Sequence, residues 1–465
     1  MAFNFLYVCD AISSAISSQS QVFYFGSDSY LRDIDHWASS STQLAACTVE
    51  PGTAEDVGKI LQILGKYRTP FGVKSGGHTA NPKFSSSAGV LIAMYRFKEV
   101  TYDQASQTAN IGTGLIFDDV YSALAPYGVS VLGGRVTGIG VGGFVLGGGY
   151  SWKSNQYGLA LDTVTAFELV KPDGEIVSVT ESTEAELFFG LKGGYNNFGI
   201  VTRIQMRTFP QSSIWGGTIT YFSLFIPQVS AAVTKFSTSN TDPKANIIAT
   251  YMCIATEPLV SLMLYYDAPN PPKDIFRDFL ILPPLSSDVG TRSISDFIQK
   301  SNSNSTANLR GIFHTVPLLQ YSQNLVQVIE NEAILSCSQL LSKTDAGVSY
   351  SIEPFLSSIL SHNTSLSAYP PTREKTYLPL NIYFAWLLSS FDRDNFDAVK
   401  QSATRIRDVA VAEGQDLSNA PLYPNYAIFD TPLSQMYGGN VEKLNALKKR
   451  VDPSNVMGLA GGFKF

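Results

Sequence analysis

The sequence predicts an α+β chain of two domains, the second inserted into the first. Three observations carry this. Runs with strand character alternate with amphipathic helical runs, so neither period holds throughout. Glycine-rich turns crowd the first half. The character of the chain then changes near Pro210 and again near Gln415. The boundaries that follow are 1–209 and 417–465 for the first domain and 210–416 for the second.

In chain order, "VEPGTAEDVGKILQIL" reads as a turn and a helix, with Thr53 placed to cap the first amides and Asp56 three residues on. "TPFGVKSGG" is a strand running into a glycine turn, and "GVLIAMYRF" is a second strand. "TYDQASQTANIGTG" suggests a hairpin. "LIFDDVYSALAPYG" is an amphipathic helix ending at Gly128. Leu132 to Tyr150 is the densest glycine cluster. "LDTVTAFELVKPDGEIVSVT" reads as a hairpin around Pro172-Asp173-Gly174. "EAELFFGLKGGYNNFGIVTRIQMRTF" is a helix, a Gly/Asn turn and a strand. Beyond Pro210, strand-like runs ("WGGTITYFSLF", "LVSLMLYYD", "LNIYFAWLLSS") alternate with helical ones ("NFDAVKQSATRIRDVAVAEG"). "KSNSNSTAN" is a loop. The last helix, in "GGNVEKLNALKKRVDPSNVM", stops before Asp452-Pro453.

At 465 residues with 44% hydrophobic and 15% charged content, the chain has ample core and little scope for disorder. A net charge of -6 without a basic run argues against nucleic acid and anionic membrane as partners. No apolar run is long enough to span a bilayer. "MAFNFLYVCD" is too short and lacks the basic flank of a signal peptide, so secretion after trimming and an intracellular location both stay open. Cys9, Cys47, Cys253 and Cys337 form no C-x-x-C pair, which speaks against a zinc cluster. They are read either as buried thiols or as one or two disulfides, Cys9 with Cys47 first. Sequons at Asn304 and Asn363 fit secretion weakly. The expected quaternary state is a monomer.

Gly138, Gly140 and Gly143 match G-x-G-x-x-G, but Asp162 falls before the next strand rather than at its end, so a nicotinamide dinucleotide fingerprint is rejected. P-loop, zincin and nucleophile-elbow motifs are absent, and four scattered histidines make a metal site improbable. Three glycine clusters remain: Gly76-Gly77, Gly133 to Gly149 and Gly193 to Gly199. Glycine lets backbone N–H groups approach a ligand, and successive turns of this kind can hold a pyrophosphate.

The segments "EPGTAEDV", "FGVKSGGHTANP", "GVGGFVLGGGYSWKSNQYGLALDTVTAFELVKPDGEIV", "AELFFGLKGGYNNFGIVT" and "YPNYA...YGGNVEKLNALKKRVDPSNV" occur in this order. As a set they resemble the FAD-linked oxidases of the vanillyl-alcohol-oxidase/p-cresol-methylhydroxylase type, above all the fungal berberine-bridge-enzyme-like proteins. The resemblance implies a discontinuous FAD-binding domain of the p-cresol-methylhydroxylase type (1–209 with 417–465). It also implies an inserted substrate domain built on an antiparallel sheet covered by helices (210–416). His78 maps onto the histidine that such proteins join covalently to the flavin, a bond that would raise the flavin's potential. A second link from cysteine would fall at Val136, so a single link is expected. A bulky residue at the place of Ile139 tends to hinder oxygen in relatives, which sets dehydrogenase beside oxidase. Lys74, Ser75, Gly76, Gly77, His78 and Thr79 are expected at the pyrophosphate and ring. Gly133, Gly134, Thr137, Gly138, Gly142, Gly143, Gly149 and Tyr150 would line the flavin. Gly199, Ile200 and Val201 would touch the adenine side, and Asn425 the flavin's polar edge.

The implied chemistry is hydride transfer from a small molecule, an alcohol or amine and a secondary metabolite, to flavin N5, with O2 as acceptor. Tyr426 is the first candidate for base and Tyr423 the second. A phenolate at pH 7 costs roughly 4 kcal/mol, so a cation or a concerted proton transfer is required. Tyr383 and Trp386 are read either as cavity lining or as core. Two alternatives accompany this reading, a carbohydrate oxidase and a redox-silent, flavin-bound cyclase or isomerase.

Overall fold

The computed structural model describes residues 5–254, 257–301, 305–344 and 347–465; the sequon at Asn304 lies outside them. Its described residues form three main sheets. The first has four strands in the order Gln21–Phe23, Cys47–Glu50, Val90–Ala93, Phe71–Lys74. The last three are mutually parallel, so a crossover must join Cys47–Glu50 to Phe71–Lys74. The helix Ala54–Tyr67 supplies it. Thr53 caps it by accepting the Asp56 N–H at 3.2 Å, and Val57, Ile60, Leu61 and Leu64 pack against Val49, Val90 and Ile92.

The second sheet is antiparallel, in the order Val100–Asp103, Thr108–Gly112, Ile200–Arg207, Val164–Val170, Ile176–Val179. Both hairpins expected from sequence are present. At the tip of one, Lys171 N–H donates to the Glu175 carbonyl at 2.8 Å and Gly174 takes φ +93°, a value that only glycine adopts without strain. Val170 and Ile200 join the core of the first sheet, which packs the two together.

The third sheet has seven strands, all antiparallel: Ser286–Arg292, Ile214–Phe222, Glu257–Tyr266, Ala245–Ile254, Gly347–Ile352, Leu378–Trp386 and Arg310–Leu318. The helices Ile226–Ser239, Gln323–Thr344 and Asp392–Ala412 pack on it through Val229, Val233, Val326, Ile329, Val399 and Ile406. All nine residues of Leu378–Trp386 are buried, so both faces of that strand are covered and its sequence is almost continuously apolar.

The chain then returns to its first half. Ala460 bridges Phe71, and Arg68 donates to the Ser454 carbonyl at 2.7 Å. The helix Asn440–Val451 ends where expected, and Asp452 accepts the N–H groups of Val456 and Met457, each at 2.8 Å. Disulfides join Cys9 to Cys47 and Cys253 to Cys337. No helix among the described residues is long and apolar enough to cross a membrane. Within the densest glycine cluster, Val141–Leu146 forms one turn and a half of helix before Gly147.

Candidate active site

The three glycine clusters, far apart in sequence, meet in space. A Cβ on Gly76 would lie 2.6 Å from the Gly140 Cα, so the first two clusters touch backbone to backbone. Ser75 ties them together: its hydroxyl donates to the Thr113 carbonyl at 2.5 Å and accepts the Gly142 N–H at 3.1 Å. Thr113 in turn donates to the Val201 carbonyl at 2.8 Å, which brings in the segment Gly199, Ile200, Val201. Gly199 has φ +144° and its missing side chain is replaced by the Val170 carbonyl. Asp118 holds the turn beside His78, accepting the Thr137 hydroxyl at 2.7 Å and the Gly138 N–H at 3.0 Å. Gly133 and Gly134 leave room for Phe117 and Ile139, and Tyr121 donates to the Gly134 carbonyl at 2.9 Å. Thr113, Asp118 and Tyr121 were not singled out in the sequence; Thr113 and Asp118 stand at the edges of regular elements and Tyr121 within the helix Phe117–Leu124.

Lys74 turns away from this cluster. Its ammonium is buried and donates to the carbonyls of Arg32, Asp33 and Asp35, closing the end of the helix Asp28–Ile34. Burial lowers its pKa to about 8. Thr79 offers its carbonyl to Ser41 at 2.8 Å.

The residues present fit an elongated anionic cofactor such as FAD. The N–H groups of Gly76, Gly77 and His78 have no acceptor among the described residues. Gly143 is exposed, and a Cβ there would meet nothing within 4 Å, although its neighbours Val141 and Gly142 are buried. His78 Nε2 is sealed from solvent and unpartnered. Burial lowers the His78 pKa to about 4, which leaves the imidazole neutral and nucleophilic at pH 7.

A polar network of tyrosines lies past Gly143. Asn425 donates to the Phe144 carbonyl at 3.1 Å and to the Tyr423 oxygen at 2.9 Å, and accepts the Tyr195 hydroxyl at 2.7 Å. Tyr423 also accepts the Gly149 N–H at 3.1 Å and packs edge-on against Tyr150. Tyr426 differs. Its oxygen accepts from Arg135 Nη2 at 2.6 Å, and its hydroxyl donates to Glu353 Oε1 at 2.9 Å. Arg135 Nη2 also reaches Glu353 Oε2 at 2.7 Å. Arg135 is a cation on the Tyr426 oxygen, where the sequence left open a cation or a concerted proton transfer and named no residue. Burial pushes the Tyr426 pKa well above the usual value and raises that of Glu353, against the opposing pull of Arg135.

An aromatic wall joins His78 to Tyr426. Trp37 stacks on His78 at 4.4 Å between centroids; Phe313 lies 5.8 Å from Trp37 and 6.2 Å from Tyr426; Tyr383 lies 4.5 Å from Phe313. Trp386 is core instead, fully buried, with its indole N–H on Asp392 at 2.9 Å.

With this geometry in place, comparison with known proteins gives a consistent picture. Residues 45–180 match the FAD binding domain family, and residues 422–460 match the family described as berberine and berberine like. The FAD-dependent monooxygenase drtC of Aspergillus calidoustus is 31% identical over 467 residues, covering 96% of this chain and 87% of that protein. Some curated relatives match over only about half their own length. The uncharacterized FAD-linked oxidoreductase of Arthroderma benhamiae is 37% identical over 56% of this chain and 52% of its own. The FAD-dependent monooxygenase macF of Penicillium terrestre is 40% identical over 50% of this chain and 45% of its own. Among solved structures, 6-hydroxy-D-nicotine oxidase of Arthrobacter nicotinovorans superposes with a TM-score of 0.76 at 18% identity, covering 95% of this chain and 96% of that one. The xylooligosaccharide oxidase of Myceliophthora thermophila C1 with xylobiose gives 0.79 at 19% identity, covering 98% and 99%. At these identities the structures establish the fold.

Proposed function

The chain belongs to the berberine and berberine-like FAD-linked oxidoreductases, and from that premise we propose that it oxidises a small organic molecule through an O–H-activated or amine-activated C–H, with Tyr426 as the proton-accepting group. Bound FAD supplies the hydride acceptor. The residues that would hold it are the loop Ser75 to Thr79, the turns Gly133 to Gly143, Gly149 and Tyr150, and the segment Gly199 to Val201. His78 is the single point of covalent attachment in this reading. The segments 1–209 and 417–465 form the cofactor domain, and 210–416 the substrate domain.

The observation that carries the proposal is the Arg135–Tyr426–Glu353 triad. A lone phenolate at pH 7 costs about 4 kcal/mol even at an ordinary tyrosine pKa, and burial here makes it costlier. The triad avoids it. Tyr426 takes the substrate's proton on its oxygen while its own proton passes to Glu353 Oε1, 2.9 Å away. Arg135 holds both groups and compensates the negative charge as it moves. Tyr423 has no carboxylate in this position; it fixes Gly149 and Asn425.

Molecular oxygen is the proposed electron acceptor. The monooxygenase names of the fungal relatives support the use of O2, and Ile139, which packs into the space left by Gly134, is the residue at which its access is decided. The test is an anaerobic screen of alcohols, amines and oligosaccharides for bleaching of the visible flavin band, followed by admission of air and assay of peroxide. Bleaching that Tyr426→Phe abolishes supports the reading. A bound flavin that no substrate bleaches while substrate is isomerised or cyclised sinks it in favour of non-redox use.

A further inference from the structure

The imidazole of His78 is aimed by packing. Its Nε2 is sealed from solvent and unpartnered, so no neighbouring side chain fixes that end of the ring by a hydrogen bond. Trp37 covers one face instead, with 4.4 Å between ring centroids and 13° between the planes. Gly138 flanks the ring: a Cβ there would lie 3.8 Å from His78 Cδ2. A histidine that reacts through one nitrogen is ordinarily oriented by a hydrogen bond at the other. Here the stacked indole supplies the orientation.

The indole is itself held by a short strap, residues 37–41, whose bonds go to two partners. One partner is the loop that carries His78. The Trp37 N–H donates to the Gly77 carbonyl at 3.0 Å, and the Ser41 hydroxyl reaches the carbonyls of Thr79 at 2.8 Å and Asn81 at 3.0 Å. The other partner is the strand Arg310–Leu318 with the turn before it. The Asn308 N–H donates to the Trp37 carbonyl and the Ser39 N–H to the Leu309 carbonyl, each at 2.9 Å. Ser40 completes this side. Its hydroxyl donates to the Gly311 carbonyl at 2.8 Å and accepts the Gly311 N–H at 3.1 Å. Arg310–Leu318 is an edge of the seven-stranded sheet, where outward backbone groups have no further strand to bond. One serine side chain takes that place for Gly311. The strap thus joins the His78 loop to the edge of the third sheet.

Resting on the reading of His78 as the point of covalent attachment, we propose that Trp37 is a positioning residue for that attachment, held in place by the edge strand through Ser40. Attachment exchanges one hydrogen of the flavin's 8α-methyl group and the imidazole hydrogen for a C–N bond. The two hydrogens pass with their electrons to the flavin ring and then to O2, which leaves as hydrogen peroxide. The imidazole nitrogen must meet the methyl carbon along its lone pair, and a misplacement of about 1 Å can cost such a step about a hundredfold in rate. Docking of the third sheet therefore precedes the bond. A chain in which the strap is unheld binds flavin without fastening it.

The test follows attachment against time. Flavin-free protein is mixed with FAD in air, samples are precipitated with acid, and the yellow colour of pellet and supernatant is measured. The Kd for FAD of each variant is measured separately in a His78→Ala background, where no bond forms. Trp37→Leu, which removes the stacked ring, is expected to slow attachment at least about tenfold with Kd unchanged within about twofold. Trp37→Phe, which keeps a ring, is expected to stay within about threefold of the wild-type rate. Ser40→Ala, at a distance from the imidazole, is expected to slow attachment about threefold to tenfold. Trp37→Leu attaching at the wild-type rate overturns the proposal while the covalent reading stands. So does a Kd for Trp37→Leu that rises as far as its rate falls, or a Trp37→Phe as slow as Trp37→Leu. Ser40→Ala at the wild-type rate overturns the hold by the edge strand. Wild-type flavin that stays wholly in the supernatant overturns the covalent reading and the proposal with it.

Discussion

At the scale of single residues, Tyr426 and Tyr423 sit three positions apart and differ in what they face. Tyr426 has a carboxylate to receive its proton and Tyr423 has two N–H donors. Tyr426→Phe is therefore expected to lower kcat about 10²–10⁴-fold with flavin retained, the usual worth of a positioned base, and Tyr423→Phe to lower it much less. Steady-state kinetics at matched flavin content decides. Glu353 must be ionised to receive the proton, and burial raises its pKa. The kcat/KM profile should thus fall on the acid side at a pH above the ordinary glutamate range, and Glu353→Gln should remove that limb together with most of the activity. Tyr426 could be picked out as a candidate because the "YPNY" segment is short and distinctive. Arg135 and Glu353 could not. They are 218 positions apart, and an ion pair at that separation leaves no local trace. Arg135 also stands in a glycine-rich run, Gly133 to Gly143, with no other charged residue in it to mark an ion pair.

At the scale of elements, the glycine segments are more than turns. Gly140 and Gly143 lie three residues apart and make opposite demands. A Cβ on Gly140 would sit 2.3 Å from the Gly76 nitrogen, and one on Gly143 would enter open space. Gly140→Ala is expected to push the two loops apart and lower the melting temperature even of flavin-free protein. Gly143→Ala, inside the helix Val141–Leu146 with open space beside it, is expected to leave flavin-free stability unchanged or to raise it by up to about 1 kcal/mol, while reducing FAD uptake. Thermal melts and flavin titrations of the two variants separate a structural glycine from one that makes room for a ligand. The elements themselves were largely readable. The hairpins at Thr101–Gly112 and Val164–Val179 have strong turn residues, and the helix Ala54–Tyr67 has its cap. The short helix Val141–Leu146 has no helical signature in the sequence because four residues at its edges and start, Gly140, Gly142, Gly143 and Gly147, are glycines, which local propensity counts against helix; packing of Val141 and Val145 into the core decides it.

At the scale of the whole molecule, residues from both ends and the middle converge on one site: Trp37, His78, Arg135, Phe313, Glu353 and Tyr426. Sequence order could suggest this only through the family resemblance, since none of the pairings is local. Burial also couples the fold to pH. His36 and His314 have their pKa lowered from 6.5 to about 4, chiefly by desolvation. Between these values the unfolded chain binds more protons than the folded one, so stability falls as pH drops from about 6.5 toward 4. The melting temperature should follow, and His314→Gln should flatten that slope. The Cys253–Cys337 link closes 84 residues, and replacing both cysteines is expected to cost about 2–4 kcal/mol in denaturant unfolding.

The central claim, that the chain folds around a flavin attached to it through His78, is tested most directly by the visible spectrum of the purified protein before and after acid precipitation. The account predicts yellow colour retained in the pellet of the wild type and lost from that of His78→Ala. Flavin released wholly into the supernatant of the wild type would contradict it.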